Sequence, residues 1–169
     1  DDARKTDISS YLRVNYQAHK KVNLFADLQV RSIEYNFEGP ESDLFGRVTT
    51  TEQQLNWLFF NPKLGINYEL NDKDRFYTSL AMGNREPARV DIVDATQNSR
   101  PTHETLYDWE LGYERKSRSY SIGINAFWMI YQNQLVLSGR VNDVGAYIRE
   151  NVDWSDRYGI ELMWSVNIL

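Results

Sequence analysis

Apolar residues recur at every second position in seven segments of this chain, at about residues 8–18, 22–36, 58–70, 75–85, 105–115, 118–134 and 150–169. The first reads Ile8, Leu12, Val14, Tyr16; the fifth Tyr107, Trp109, Leu111, Tyr113; the sixth Tyr120, Ile122, Ile124, Ala126, Trp128, Ile130; the seventh Tyr158, Ile160, Leu162, Trp164, Val166. The intervening phase carries Arg13, Asn15, Asp27, Arg31, Lys63, Asn67, Glu69, Asp108, Glu110, Glu114, Asn125 and Glu161, interspersed with Gly65, Gly83, Gly112, Gly123 and Gly159. Successive side chains of a strand point to opposite faces, so period two predicts strands with one apolar and one polar face. Helical spacing has no run of comparable length.

The connections alternate in length. His19-Lys20-Lys21, Asn71 to Asp74 and Arg115-Lys116-Ser117 are hairpin-sized, whereas residues 37–55, 86–104 and 135–149 are long. Within the last, Asn142-Asp143 and Gly145 are placed to make a small hairpin beyond the sheet. The prediction is an all-β, antiparallel meander of about seven or eight strands with short turns at one end and long loops at the other. That is the plan of an outer-membrane barrel.

Alternation alone leaves open which face is inside, because a soluble all-β binding module with an inward apolar face alternates just as strictly. The order of residues along the apolar phase bears on the choice. Tyr16, Tyr68, Phe76, Tyr113, Tyr120 and Trp164 lie close to the short turns, aliphatic residues fill the middle, and Phe60, Tyr107, Trp109, Trp128 and Tyr158 lie towards the long loops. Rings with an OH or NH favour the headgroup boundary, so two aromatic belts around an aliphatic band suit a lipid-facing surface. Tyr68, Tyr107, Trp109, Tyr113, Tyr120, Trp128 and Trp164 are the belt candidates.

Composition narrows the classes further. Of 169 residues, eleven are Tyr, five Trp and none Cys, which excludes disulfides and cysteine-based zinc sites. A net charge of −5 with no basic face argues against a nucleic-acid partner. Asp1 to Lys5 is charged with no apolar run behind it, so no signal peptide is read there. The longest apolar run, Ala126 to Tyr131, falls far short of the roughly 20 residues of a spanning helix, which excludes a helical membrane protein and leaves strands untouched.

Five short strings then point to one family. They are Phe60-Asn61-Pro62-Lys63-Leu64-Gly65-Ile66-Asn67-Tyr68; Phe76-Tyr77 running into Gly83-Asn84-Arg85-Glu86-Pro87; Glu104-Thr105-Leu106 through Glu110-Leu111-Gly112-Tyr113; Asn125-Ala126-Phe127 through Gln134-Leu135-Val136; and Asn151 with Arg157-Tyr158-Gly159-Ile160-Glu161. In this order they resemble the barrels of TonB-dependent outer-membrane receptors over most of residues 55 to 165. The resemblance implies a 22-stranded transmembrane barrel filled by a plug domain, in the outer membrane of a Gram-negative bacterium. It implies import of a siderophore, haem, cobalamin or glycan ligand, driven by the TonB complex. Residues 1–169 read as a single middle-to-late barrel segment without plug, TonB box or second domain, expected to form an open, curved sheet with two free edges if it stands alone.

On that reading Arg13, Arg31, Lys63, Arg85, Glu86, Glu110 and Glu161 are candidates to face the lumen or plug. Arg89, Asp91, Asp94, His103, Asn142 and Asp143 are candidates for ligand contact in the loops. No enzyme chemistry is expected. Asp108 and Glu110 share a strand face but have no histidine or nucleophile beside them, so they read as lumenal charges. His103 with Glu104 is too few ligands for a metal site, and Asp91, Asp94 and Asp143 lack the spacing of a calcium loop, so neither metal nor cofactor is predicted.

Overall fold

The computed structural model describes residues 3–42, 48–93, 101–141 and 145–167. They form seven strands: β1 (Ala3–His19), β2 (Val22–Ser42), β3 (Val48–Glu69), β4 (Asp74–Arg85), β5 (Glu104–Lys116), β6 (Tyr120–Val141) and β7 (Tyr147–Val166). A short helix, α1 (Arg89–Val93), lies between β4 and β5. Every neighbouring pair is antiparallel and the order is β1-β2-β3-β4-β5-β6-β7 in one open sheet, so β1 and β7 are its edges. Among the described residues no helix is long and apolar enough to cross a membrane, which says nothing of the strands.

The strands exceed the expected bounds at the long-loop end. β2 and β3 stay paired up to Ser42↔Val48, so most of the expected loop 37–55 is ladder. β-branched residues from Val48 to Thr51 favour that continuation, since a pleated backbone suits them. β6 and β7 likewise continue to Val141↔Tyr147, beyond which Gly145 takes φ 83°, the left-handed conformation that glycine adopts without strain. A tilted strand crosses a bilayer in about 9–11 residues. β2, β3, β6 and β7, at 21, 22, 22 and 20 residues, therefore extend well past an apolar band of that height.

The two faces differ as the alternation requires. Leu12, Leu64, Leu80, Trp109, Leu111, Ile122, Ile124, Trp128, Ile160 and Leu162 are all exposed, while Ser79 and Asn125 on the other phase are buried. The apolar phase therefore faces outward, opposite to a soluble module with an inward apolar core. The polar phase lines the inner side of the curve, where side chains of strands that are not neighbours meet. Tyr77 of β4, for example, donates its hydroxyl to Asn125 Oδ1 of β6 at 3.1 Å.

The inner glycines have a packing reason. Phe25 stands opposite Gly65, Tyr77 opposite Gly112 and Phe127 opposite Gly159 on the neighbouring strands. At each pair the ring lies where the glycine would carry a Cβ. An aromatic laid over a cross-strand glycine shields the backbone and fixes the register, which offsets the usual cost of glycine in a strand.

The ladder between β3 and β4 is the shortest, ending at Lys63↔Ala81. Pro62 follows and has no N–H to donate. Side chains of Asn61 and Asn84 replace the missing rungs: Asn84 N and Nδ2 donate to Asn61 Oδ1 at 2.8 and 3.0 Å, and Asn84 Nδ2 to Phe60 O at 3.1 Å. Asn61 Nδ2 donates to Gln29 Oε1 at 3.0 Å and Thr105 Oγ1 to Asn84 Oδ1 at 2.8 Å, so the network runs from β2 to β5.

Candidate functional site

The register turns the inner face into rows of side chains. One row reads Arg13, Asp27, Lys63, Ala81, Asp108, Met129, Arg157 across all seven strands. Arg13 pairs with Asp27 through two hydrogen bonds of 2.6 and 2.8 Å, and Arg157 lies 4.9 Å from the Tyr131 ring centroid. A hollow of about 380 Å³ below this row is lined by Phe25, Lys63, Asn67, Arg75, Tyr77, Glu110 and Glu114 among others. Glu161 lies opposite Asn125 on β7 and is exposed. Lys63 and Glu110 thus meet around one hollow, while Arg13 and Glu161 lie towards the two edges of the sheet.

At the long-loop end the inner phase changes character. Ile33, Tyr35 and Phe59 are buried there, and Trp57 stands opposite Ile33. Over this apolar floor runs the segment that leaves β4. Its Pro87 is buried, and its two carboxylates tie it to opposite wings of the sheet. Glu86 accepts from Lys5 of β1 at 2.7 Å and from Arg31 of β2 at 3.1 Å, whereas Asp91 of α1 accepts from Arg149 of β7 at 3.1 Å. Arg85 donates to Glu104 Oε1 at 2.6 Å. A cleft of about 500 Å³ opens beside the segment, lined by Lys5, Tyr35, Trp57, Arg85, Glu86, Arg89, Asp91, Glu104, Leu135 and Arg149.

Burial pushes the Glu86 carboxyl up, but the hydrogen bond from Lys5, a backbone donor and the Arg31 guanidinium outweigh it and hold it below the ordinary value. Arg31 is itself fixed from the other side by Asp7, through hydrogen bonds of 2.6, 3.0 and 3.2 Å. Lys5 and Asp7 are contributors outside the residues singled out from the sequence. Lys5 and Asp7 share the odd phase of Arg13, so extending the β1 alternation two steps towards the N-terminus would have found them.

The expected ligand-contact residues divide. Arg89 is exposed and lines the cleft. Asp91 is buried and engaged with Arg149 and with the Ala88 backbone N–H at 3.0 Å, so it holds the segment in place. The His103 ring lies 5.5 Å from that of Phe59, and its neighbour Thr102 exchanges hydrogen bonds with Asn151 at 2.7 and 3.1 Å. Asp94, Asn142 and Asp143 lie outside the described residues. Among the described residues no three His, Cys, Asp or Glu side chains converge as metal ligands would.

The aromatic candidates lie on the outer face. Tyr68, Tyr107, Trp109, Tyr120, Trp128 and Trp164 are exposed, and Tyr113 is half-buried. Trp109 stands directly opposite Trp128, and Tyr68, Phe76 and Tyr113 are consecutive in one row nearer the turns. Tyr113 sends its hydroxyl turnward to Asp74 Oδ1 at 2.6 Å. The Trp109 indole N–H instead donates to Thr78 Oγ1 at 3.1 Å, within the sheet.

An open meander with an exposed apolar exterior, a charged interior and long hairpins at one end is a wall segment of an outer-membrane-type β-barrel. The chain belongs to the family of TonB-dependent receptor-like β-barrels, whose family model matches residues 1–169. The copper transporter OprC has the same fold, with a TM-score of 0.81 at 14% identity over 99% of this chain and 27% of its own. The ferric yersiniabactin uptake receptor FyuA of Yersinia pestis gives 0.75 at 15% identity, over 96% of this chain and 24% of its own. The hemophore receptor HasR of Serratia marcescens, solved with its hemophore HasA and heme, gives 0.72 at 14% identity, over 97% and 32%. The chain thus spans about a quarter to a third of these structures. No curated protein matches it by sequence.

Proposed function

We propose that the chain is part of the barrel of an outer-membrane receptor that binds a scarce nutrient at its loop end and imports it with energy from the TonB complex. The observation that carries this reading is the outward apolar phase: Leu64, Leu80, Leu111, Ile122, Ile124 and Ile160 are exposed around an inner face of ion pairs. Such a surface is stable only against hydrocarbon, because apolar area left in water costs about 25 cal/mol per Å². Tyr68, Tyr107, Trp109, Tyr113, Tyr120, Trp128 and Trp164 are then headgroup-boundary or acyl-chain contacts. Arg13, Lys63, Glu110 and Glu161 face the plug, and Arg89 faces the ligand cleft. Siderophore, haem, cobalamin and glycan ligands all fall within this reading.

The test is fractionation of the full-length gene product. Recovery in the outer membrane, released by detergent as a species whose electrophoretic mobility shifts on boiling, is the expected result. Release without detergent as a stable monomer would overturn the reading.

A further inference from the structure

Glu86 lies outside any strand, yet its carboxylate is the meeting point of two cations from strands that do not neighbour β4. Lys5 Nζ donates to Oε1 at 2.7 Å, Arg31 Nη2 to Oε1 at 3.1 Å and Arg31 Nη1 to Oε2 at 3.1 Å. The receiving half is built without Glu86: Lys5 and Arg31 belong to continuous β1 and β2 ladder, and Arg31 is oriented by Asp7 through three hydrogen bonds. The donated half sits in the link between the last residue of β4 and the five-residue α1. A rigid fork of guanidinium and ammonium matched to a carboxylate is a carboxylate-binding site in its own right.

We propose that Lys5 and Arg31 form a carboxylate-binding cradle on the inner wall, and that residues 86–93 are a displaceable strap which fills it with Glu86 until a free carboxylate competes. The cleft beside the strap provides the approach, with exposed Arg89 on its lining adding attraction for an anion. When Glu86 leaves, Lys5, which lines the cleft, and Arg31 behind Glu86 are left uncompensated by it, and the incoming carboxylate restores the charge balance. The far end stays tethered, because Asp91 remains paired with Arg149 of β7. The strap therefore swings about α1 away from β1 and β2 and does not leave the mouth. The inference rests on the receptor reading only in taking this end of the barrel as the one reached from outside.

The experiment is maleimide labelling of the full-length receptor in detergent, carrying Pro87→Cys, a strap position buried while Glu86 is in place, as its single reactive cysteine and using citrate as the probe. Citrate is expected to raise the labelling rate saturably, while chloride at equal ionic strength does not. Glu86→Gln is expected to raise it about tenfold without citrate, the size of change that one charge-assisted hydrogen bond supplies. In Lys5→Met/Arg31→Met the rate starts high and citrate adds nothing. Lys5→Arg/Arg31→Lys keeps both cations beside Glu86 and Asp7 and is expected to hold the rate, and its response to citrate, near those of the parent, which guards against misfolding as the cause in the double Met variant. An unchanged rate in Glu86→Gln, no citrate effect, or an equal citrate effect in the double Met variant would each sink the strap. Labelling does not read import or membrane location, so such a failure leaves the receptor reading standing, and failed fractionation leaves the labelling result interpretable.

Discussion

The ring of Tyr77 on β4 lies over Gly112 on β5, its register partner, so that a Cβ at position 112 would fall inside the ring's own space. The ring cannot give way freely, because its hydroxyl is held by Asn125 on β6. Gly112→Ala is therefore expected to destabilise the barrel by about 1–3 kcal/mol, the range for overpacking a filled site. Tyr77→Ala in the same background should recover part of the loss by clearing the space. Denaturant unfolding of the full-length receptor in detergent micelles reads both, and an Ala at 112 as stable as Gly would contradict the packing.

That relationship marks what was legible in the sequence and what was not. The alternation placed Gly112 on the polar face but gave no reason for a glycine there, because the reason sits on another strand and depends on register. The same holds for Phe25 over Gly65 and Phe127 over Gly159. Strand number and the order of turns follow from period two within each segment, and the outward direction of Leu111 or Ile124 from the aromatic belts on either side of them. The strap was not legible, since Glu86 reaches Lys5 and Arg31 across β3 and no local pattern encodes a contact between strands that do not pair. Residues 37–55 read as a loop because their polar Glu and Gln residues break the alternation, whereas the backbone pairing of β2 with β3 continues to Ser42↔Val48.

The two faces should respond oppositely to charge. Ile124→Arg places a guanidinium on the outer face of β6 midway between the belt residues Tyr120 and Trp128, and a cation at the bilayer midplane of a barrel costs about 2–4 kcal/mol. Asn125→Asp, one residue on, lies on the lined interior, keeps an acceptor for the Tyr77 hydroxyl and is expected to cost less than half as much. Folding free energies measured in lipid vesicles compare the two. Equal costs would remove the assignment of the apolar phase to lipid.

Acid should loosen the mouth before the wall. The Glu86 carboxyl is held below its ordinary value, so the ionised form is favoured by the folded state. Its stabilisation is complete above the ordinary glutamate pKa of about 4.3, and is lost as pH falls through the lowered folded value. Hydrogen exchange of residues 86–93, corrected for intrinsic rates, should therefore accelerate on descending below about pH 4 in the wild type. In Glu86→Gln it should already be fast and show no such step. A wild-type profile as flat as that of Glu86→Gln would mean the ion pairs do not hold the segment.

The Asn61–Asn84 network stands where Pro62 ends the ladder, so it should matter more than a pair of surface amides. Asn84→Ala removes the donor to the Phe60 carbonyl and the acceptor for Thr105, and leaves Asn61 Oδ1 with the backbone N–H alone. A buried polar group left without a partner costs about 1–3 kcal/mol, and Thr105, whose hydroxyl loses its acceptor, is buried. The expected loss is about 2–3 kcal/mol, which only a donor-bearing residue of the same length should recover. Asn84→Asp keeps the acceptor for Thr105 but not the donor to Phe60, and so should fall between the two. Because β3 and β4 are joined by no backbone pair beyond Lys63↔Ala81, exchange of the β3 amides past Pro62 should quicken in Asn84→Ala while those of β5 and β6 near the short turns keep their wild-type protection.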